Sequence, residues 1–159
     1  RSMLAQCRSS TAEFQRVDAS CYSDLEHFLQ VLPSSPASYS DNRVRNGGLA
    51  DTWLQMFIYG PATNPQIKID GIGTIEIGDS GSPYTLASGK VLEINSYPWT
   101  RRVVDSDGLN VAPLLIGDAV YLDQMFVHGN ASTQIGFSAS STSGVTKLEV
   151  VWREAYNVL

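Results

Sequence analysis

The chain has 159 residues, 43% hydrophobic and 17% charged, with a formal net charge of −5 at pH 7. This length suits one domain with a real core, and the composition is not that of a disordered chain. No apolar run approaches a length of about 18 residues, which a transmembrane helix needs. The sequence also shows no signal segment. The part after residue 48 carries eleven acidic and six basic residues, which disfavours binding to nucleic acid or insertion into an anionic membrane.

The N-terminus raises two questions that the sequence leaves open. The chain begins with Arg1 rather than methionine, which suggests a fragment or a processed product of a longer protein. Its two cysteines, Cys7 and Cys21, are close enough in sequence to close a loop. Pairing cannot be deduced from spacing, and two thiols without further ligands define no metal site.

Residues 1–45 are predicted to form a separate N-terminal segment that is irregular or briefly helical. Ser23-Asp24-Leu25-Glu26 has the spacing of a helix capping box. The apolar residues that follow recur at i, i+3, i+4 and i+7, namely Leu25, Phe28, Leu29 and Leu32. This pattern predicts a helix from about Asp24 to Leu32 that ends at Pro33. The Ser- and Pro-containing stretch 34–46 predicts a linker, so this segment would extend, or end, another domain.

A strand pattern opens the main domain, which is predicted to cover residues 46–159. Between residues 53 and 59, Trp, Gln, Phe and Tyr alternate with Leu, Met and Ile, so both faces of the strand are largely apolar. That composition is expected of a strand inside a sandwich. Gly60-Pro61 and Asn64-Pro65 then interrupt the pattern with a turn.

Period-two patterns continue to the end of the chain. Together with the first strand they give nine candidates, the others being 66–70, 73–77, 84–87, 90–95, 100–105, 119–127, 134–138 and 145–154. Turn residues separate them, and in the last one Leu148, Val150 and Trp152 alternate with charged residues, as in a half-buried strand. Short strands without intervening helices predict an all-β fold, an antiparallel β-sandwich or jelly roll.

Five short motifs occur in a specific order along this domain. They are Asn46–Gly48 before an apolar strand, Ile58–Pro65, Leu86–Asn95, Val103–Asp105 with Asp107–Asn110, and Leu148–Tyr156. Their order and gaps resemble the galectin-like C-terminal domain of distal tail proteins, and of related minor tail proteins, from long-tailed bacteriophages.

The resemblance implies a non-enzymatic structural protein of the virion, located in the tail tip or baseplate and assembled in the bacterial cytoplasm. Its implied partners are other tail proteins and copies of itself, in a ring or a similar assembly, and it implies no cofactor. Residues 1–45 are too short for the ring-forming N-terminal domain of that family. A fragment or a divergent minor tail protein is therefore expected.

Two predicted turns resemble sequence motifs of known functional sites, one catalytic and one calcium-binding. Gly78-Asp79-Ser80-Gly81-Ser82-Pro83 differs by one residue from the nucleophile sequence of chymotrypsin-like proteases, but neither His27 nor His128 has the flanking sequence of a catalytic base. Asp105-Ser106-Asp107-Gly108 resembles the start of a calcium loop, yet Ile116 stands where that loop needs a glutamate. Hairpin turns are the better interpretation of both, so no catalytic or metal site is predicted.

A contact surface is predicted around the stretch from Asn95 to Arg102. Sugar recognition needs an aromatic ring face beside hydrogen-bonding side chains, and protein interfaces select the same residue types. The candidates are Asn95, Tyr97, Trp99, Arg101, Arg102 and Tyr121. The alternative function, a carbohydrate-binding module that attaches to host-surface glycan, stays open beside the structural one.

Overall fold

The computed structural model describes residues 20–39, 42–118 and 121–157, and in these ranges the chain is almost entirely β-structure. The strands are β1 (Ser20–Val31), β2 (Arg43–Arg45), β3 (Thr52–Trp53), β4 (Gln55–Tyr59), β5 (Ala62–Thr63), β6 (Gln66–Ile69), β7 (Gly73–Ile77), β8 (Thr85–Leu86), β9 (Val91–Asn95), β10 (Arg102–Asp105), β11 (Leu115–Gly117), β12 (Phe126–Val127), β13 (Ser132–Ser138) and β14 (Lys147–Asn157). Two 3-10 helices, Ala112–Leu114 and Leu122–Gln124, complete the described elements.

Two five-stranded antiparallel sheets form the molecule. The first has the order β1-β14-β4-β9-β10, and the second has the order β11-β7-β6-β13-β2. Two short pairs, β12-β3 and β5-β8, lie outside these sheets. The prediction of an all-β antiparallel sandwich is therefore confirmed.

Alternation along the strands creates the core. In β4, and in β14 as far as Trp152, every second side chain is buried, and these include Met56, Ile58, Leu148 and Val150. The second sheet contributes mainly isoleucines to the same buried cluster: Ile67, Ile69, Ile75, Ile77 and Ile135. Each such side chain contributes about 1.5–3 kcal/mol through burial, so the cross-sheet apolar contacts are the main stabilising term.

The predicted helix from Asp24 to Leu32 is wrong, because residues 24–31 belong to β1. Pairing with β14 aligns His27 with Trp152, Leu29 with Val150 and Val31 with Leu148. The inward positions thus recur every second residue, and the sheet contacts outweigh the helical spacing of the leucines. The Ser23 hydroxyl does accept a backbone N–H, but the donor is Leu25 at 3.0 Å, inside a bulge of the strand.

Both sheets include residues that precede position 46. β1 forms one edge of the first sheet, and β2 pairs with β13 at an edge of the second. The predicted linker, residues 34–46, does follow β1, but it contains β2. The sandwich therefore begins before the predicted boundary. The possible Cys7–Cys21 disulfide lies outside the described residues.

Most of the predicted strands agree with the structure to within two residues at either end, and residues 119–127 are the main exception. There a 3-10 helix at Leu122–Gln124 precedes the two-residue strand β12. Of residues 121–125 only Met125 is buried, so alternate burial does not extend along this stretch, and residues 119–120 lie outside the described part of the chain. The short strand β11 was not predicted. None of the described segments is a helix long and apolar enough to span a bilayer.

Candidate functional site

The loop between β9 and β10 is held by a buried asparagine. Asn95 is 5% exposed, and its Oδ1 accepts the backbone N–H of Tyr97 at 3.0 Å. Thr100 N then donates to the Tyr97 carbonyl at 3.0 Å, which closes the turn. A side chain that bonds the backbone two residues on favours a tight turn. The loop consequently presents Tyr97 and Trp99 at a fixed position beside the first sheet.

Three aromatic rings meet at this loop. Tyr22 of β1 lies 5.7 Å from Tyr97 and 5.6 Å from Trp99, and the Tyr97 and Trp99 centroids are 5.5 Å apart. Burial raises the pKa of Tyr97, while hydrogen bonds with the Thr52 side chain and the Arg153 backbone act in the opposite direction. Tyr97 therefore anchors the cluster, whereas Trp99 remains 56% exposed.

These rings form one wall of a groove on the outer face of the first sheet, with a volume of about 290 Å³. Its lining residues are Tyr22, Glu26, Gln55, Asn95, Tyr97, Trp99, Thr100, Val151 and Arg153. Strand pairing brings Val151, Gln55 and Asn95 into one row across β14, β4 and β9. Glu26 and Arg153, whose charged groups lie 3.2 Å apart, join the groove from β1 and β14. We call this site the aromatic groove.

A half-buried carboxylate fixes the polar side chains beside the groove. Glu93 accepts from Gln55 Nε2 at 2.8 Å, from Asn95 Nδ2 at 3.2 Å and from Arg102 Nη2 at 2.7 Å. Burial alone would raise the pKa of Glu93, but these hydrogen bonds outweigh burial and lower it. Arg102 thus neutralises Glu93 and does not line the groove.

Arg101 belongs to a neighbouring cluster. Its guanidinium lies 5.8 Å from the Trp53 ring centroid, and Trp53 contacts Phe126 with centroids 5.1 Å apart. Phe126 in turn contacts His128, whose Nδ1 lies 3.0 Å from Asp51 Oδ1. An arginine above an indole ring makes a cation–π contact, so the Arg101 side chain already has the Trp53 ring as its partner.

Tyr121 lies apart from the other predicted residues. It is 62% exposed and directly precedes the 3-10 helix Leu122–Gln124. Neither the groove lining nor the aromatic contacts among the described residues include it. Of the six predicted residues, the groove therefore unites Asn95, Tyr97 and Trp99.

The two motifs that resemble a protease nucleophile and a calcium loop form turns in the structure. Asp79 Oδ1 accepts the backbone N–H groups of Gly81 and Ser82, each at 2.7 Å. Asp105 Oδ1 accepts those of Asp107 and Leu109, each at 2.9 Å. Among the described residues, no group of three or more His, Cys, Asp or Glu could hold a metal ion. These carboxylates stabilise their own loops.

A second exposed feature is the edge formed by β1. This strand pairs with β14 alone among the described strands. Leu25 lies in its bulge, Phe28 on its outer face and Leu32 just beyond its end, and all three are exposed. An exposed apolar edge strand offers unpaired backbone groups and contact area to another chain.

Sequence reasoning missed the groove residues that come from distant strands. Tyr22 and Glu26 lay in the segment predicted to be separate, and Arg153 follows them by more than a hundred residues. Gln55 carried a signal, because it is the polar position on the outer face of an otherwise apolar strand. The pairing of β1 with β14 could not be deduced from any local pattern.

The class of fold is thus an antiparallel β-sandwich with an aromatic groove on one sheet. No protein-family model and no curated protein matches the chain. Among solved structures the chain is similar to SPP1 Dit, whose crystal structure is described as a paradigm of the hub adsorption apparatus in phages that infect Gram-positive bacteria. The TM-score is 0.59 at 16% identity, over 87% of this chain and 50% of SPP1 Dit. At this identity the similarity demonstrates a shared fold, and the chain spans half the length of that protein.

Proposed function

We propose that the chain is a structural component of a phage virion, in the tail tip or baseplate, as a distal tail or minor tail protein of a long-tailed phage. The observation that carries this proposal is the fold similarity to SPP1 Dit over 87% of the chain. The order of sequence motifs in residues 46–159 supports it independently, and it also supports the narrower assignment to a galectin-like domain.

In this proposal the chain acts through protein contacts, with other tail proteins and with copies of itself, and it has no enzymatic role. The β1 edge supplies a suitable surface, since Leu25, Phe28 and Leu32 are apolar and exposed. Aromatic and aliphatic side chains at the centre of an interface commonly carry most of its binding energy. Assembly would take place in the bacterial cytoplasm before the virion is released.

Light scattering coupled to size-exclusion chromatography tests the assembly. We expect the chain to form multimers whose mass rises with concentration, and the double substitution Leu25→Asp/Phe28→Asp to leave monomers. Leu109→Asp is the matched control, because Leu109 is equally exposed but lies in the turn after β10. A monomer at every concentration that also fails to bind the other proteins of its tail would contradict the proposal.

Electron microscopy of antibody-labelled virions tests the location. We expect label at the end of the tail that is distant from the capsid. Label on the capsid, or virions that lack the chain altogether, would exclude a tail-tip role even if the purified protein forms multimers.

A carbohydrate-binding module that mediates host attachment is the second candidate function. The observation that favours it is Trp99, which is 56% exposed and stands at the wall of a groove with polar side chains. An apolar ring face next to a few oriented polar groups is the usual composition of a small-molecule site. A tail protein could combine this function with the structural one.

A further inference from the structure

We propose that the aromatic groove binds a single neutral pyranose ring of a surface glycan, stacked on Trp99. This inference rests on the second candidate function and names its site and ligand class. The volume of the groove, about 290 Å³, lies just below the ~300–1,000 Å³ range of sites for drug-sized small molecules. That size suits one sugar ring rather than an extended oligosaccharide.

The geometry of Trp99 suits stacking. Tyr22 meets the indole at an interplanar angle of 69° and Tyr97 meets it at 47°, so neither neighbour stacks flat on it. These two contacts, one edge-on and one tilted, hold the indole in place while 56% of the residue stays exposed. Because the ring is already immobilised by its neighbours, binding costs little additional side-chain entropy. The apolar face of a pyranose can therefore replace water on the indole.

The polar side chains of the groove offer both donors and acceptors. Gln55 and Asn95 direct their amide nitrogens to Glu93, which defines the orientation of each amide. The Gln55 oxygen then serves as an acceptor, and the Thr100 hydroxyl can donate or accept. Sugar hydroxyls also do both, so this set fits them better than it fits an apolar ligand.

Charge pairing favours a neutral sugar. Arg153 lies 3.2 Å from Glu26, and Arg102 lies 2.7 Å from Glu93. Both of these arginines are therefore matched by a carboxylate, and Arg101 is held against the Trp53 ring. An anionic sugar would have to compete with Glu26 for Arg153 and would approach two negative charges, so the groove gives it no net attraction.

A glycan array probed with the full chain would be the first experiment, followed by titration calorimetry with the best neutral and the best anionic glycan. We expect neutral glycans to bind, and Trp99→Ala to weaken that binding at least about tenfold, since the stacking platform is lost. Gln55→Ala should weaken it less. Tyr121→Ala is the matched control, because Tyr121 is as exposed as Trp99 but lies outside the groove, and its affinity should stay within about twofold.

The possible outcomes separate this inference from the function on which it rests. Neutral-glycan binding that is lost in Trp99→Ala and kept in Tyr121→Ala supports it. Binding that survives Trp99→Ala overturns the groove assignment and leaves the carbohydrate-binding function standing. Preference for an anionic glycan overturns the ligand class, and the absence of any glycan binding overturns both. Circular dichroism of each variant would exclude a folding defect, and the assembly experiment does not depend on any of these results.

Discussion

Asn46 and Asn95 begin two loops in the same way and with opposite consequences. Each is buried, and each accepts with Oδ1 the backbone N–H of the residue two positions on, at 3.0 Å in both loops. The loop that follows Asn46 contains Gly47 and Gly48, whereas the loop that follows Asn95 contains Tyr97 and Trp99. The same local turn therefore closes the core in one place and displays aromatic rings in the other.

The difference lies in what surrounds the two side chains. Asn46 is 0% exposed, and its Nδ2 donates to the carbonyls of Ala50 at 2.7 Å, Val127 at 3.1 Å and His128 at 3.2 Å. A Cβ on Gly48 would overlap the Ala155 backbone, so only glycine allows β14 to pack this closely. The Asn95 amide instead donates to the carboxylate of Glu93, which also accepts from two other side chains. The first turn is an element of the core, and the second positions a surface.

The largest effect is expected for Asn46→Ala. Removing this amide leaves several buried backbone groups without a partner, each costing about 1–3 kcal/mol, so we expect a loss of about 2–4 kcal/mol after partial relaxation. Urea unfolding measures it. Asn110→Ala is the control, because Asn110 makes the same turn contact with Ala112 N at 3.1 Å on an exposed loop. Equal losses in the two variants would refute the distinction between core and surface turns.

A smaller loss is expected for Asn95→Ala. It removes the bond to Tyr97 N and one of the three side-chain donors to Glu93, which should cost about 1–2 kcal/mol. Since Tyr97 orients Trp99, the near-ultraviolet circular dichroism of the aromatic cluster should change as well. An unchanged spectrum would mean that the rings hold one another without the asparagine.

Tyr84 contrasts with Asn46: the Asn46 amide is buried with several hydrogen-bond partners, whereas the buried Tyr84 hydroxyl has none among the described residues. Its hydroxyl makes no hydrogen bond within the described part of the chain, so Tyr84→Phe should stabilise the fold by about 1 kcal/mol at neutral pH. A hydrogen bond between the hydroxyl and a water molecule would turn this gain into a loss. Thermal unfolding at pH 7 distinguishes the two results.

The same residue predicts a dependence on alkaline pH. Burial, with the charges of Asp105 and Asp107, raises the pKa of Tyr84 from 10.0 to about 12. The unfolded chain would therefore lose this proton first, so the stability contributed by neutral Tyr84 is complete below pH 10 and declines as the pH rises towards 12. The pKa values of Tyr59 and Tyr97 are raised as well, and the steeper decline of the wild type relative to Tyr84→Phe isolates the contribution of Tyr84. Parallel curves would contradict the prediction.

Trp99→Ala should have the smallest effect on stability. More than half of the residue is exposed, and substitutions at such positions usually change stability by no more than about 0.5 kcal/mol. Urea unfolding of this variant should therefore match the wild type. A loss as large as that of Asn95→Ala would assign Trp99 to the fold rather than to binding.

Period-two patterns predicted the sandwich because its two sheets bury alternate residues, as along β14. The same reasoning failed for β1. There Leu25, Phe28 and Leu32 fit a helical stripe, although all three are exposed and the inward positions are His27, Leu29 and Val31. Pairing with a strand more than a hundred residues away decided the structure, and nothing local encodes that partner. The prediction of the groove was incomplete in part for the same reason, since Tyr22 and Arg153 are brought near Trp99 only by the pairing of β1 with β14.

The position of β14 has a consequence for biosynthesis. This strand lies between β1 and β4, so the first sheet is not continuous until residues 147–157 have been made. Arg153 bonds the Ser23 carbonyl across a separation of 130 residues, and contacts of such high separation form slowly. On the ribosome, β1 has no strand partner in this sheet until β14 has been synthesised, and its apolar side chains stay exposed during that time.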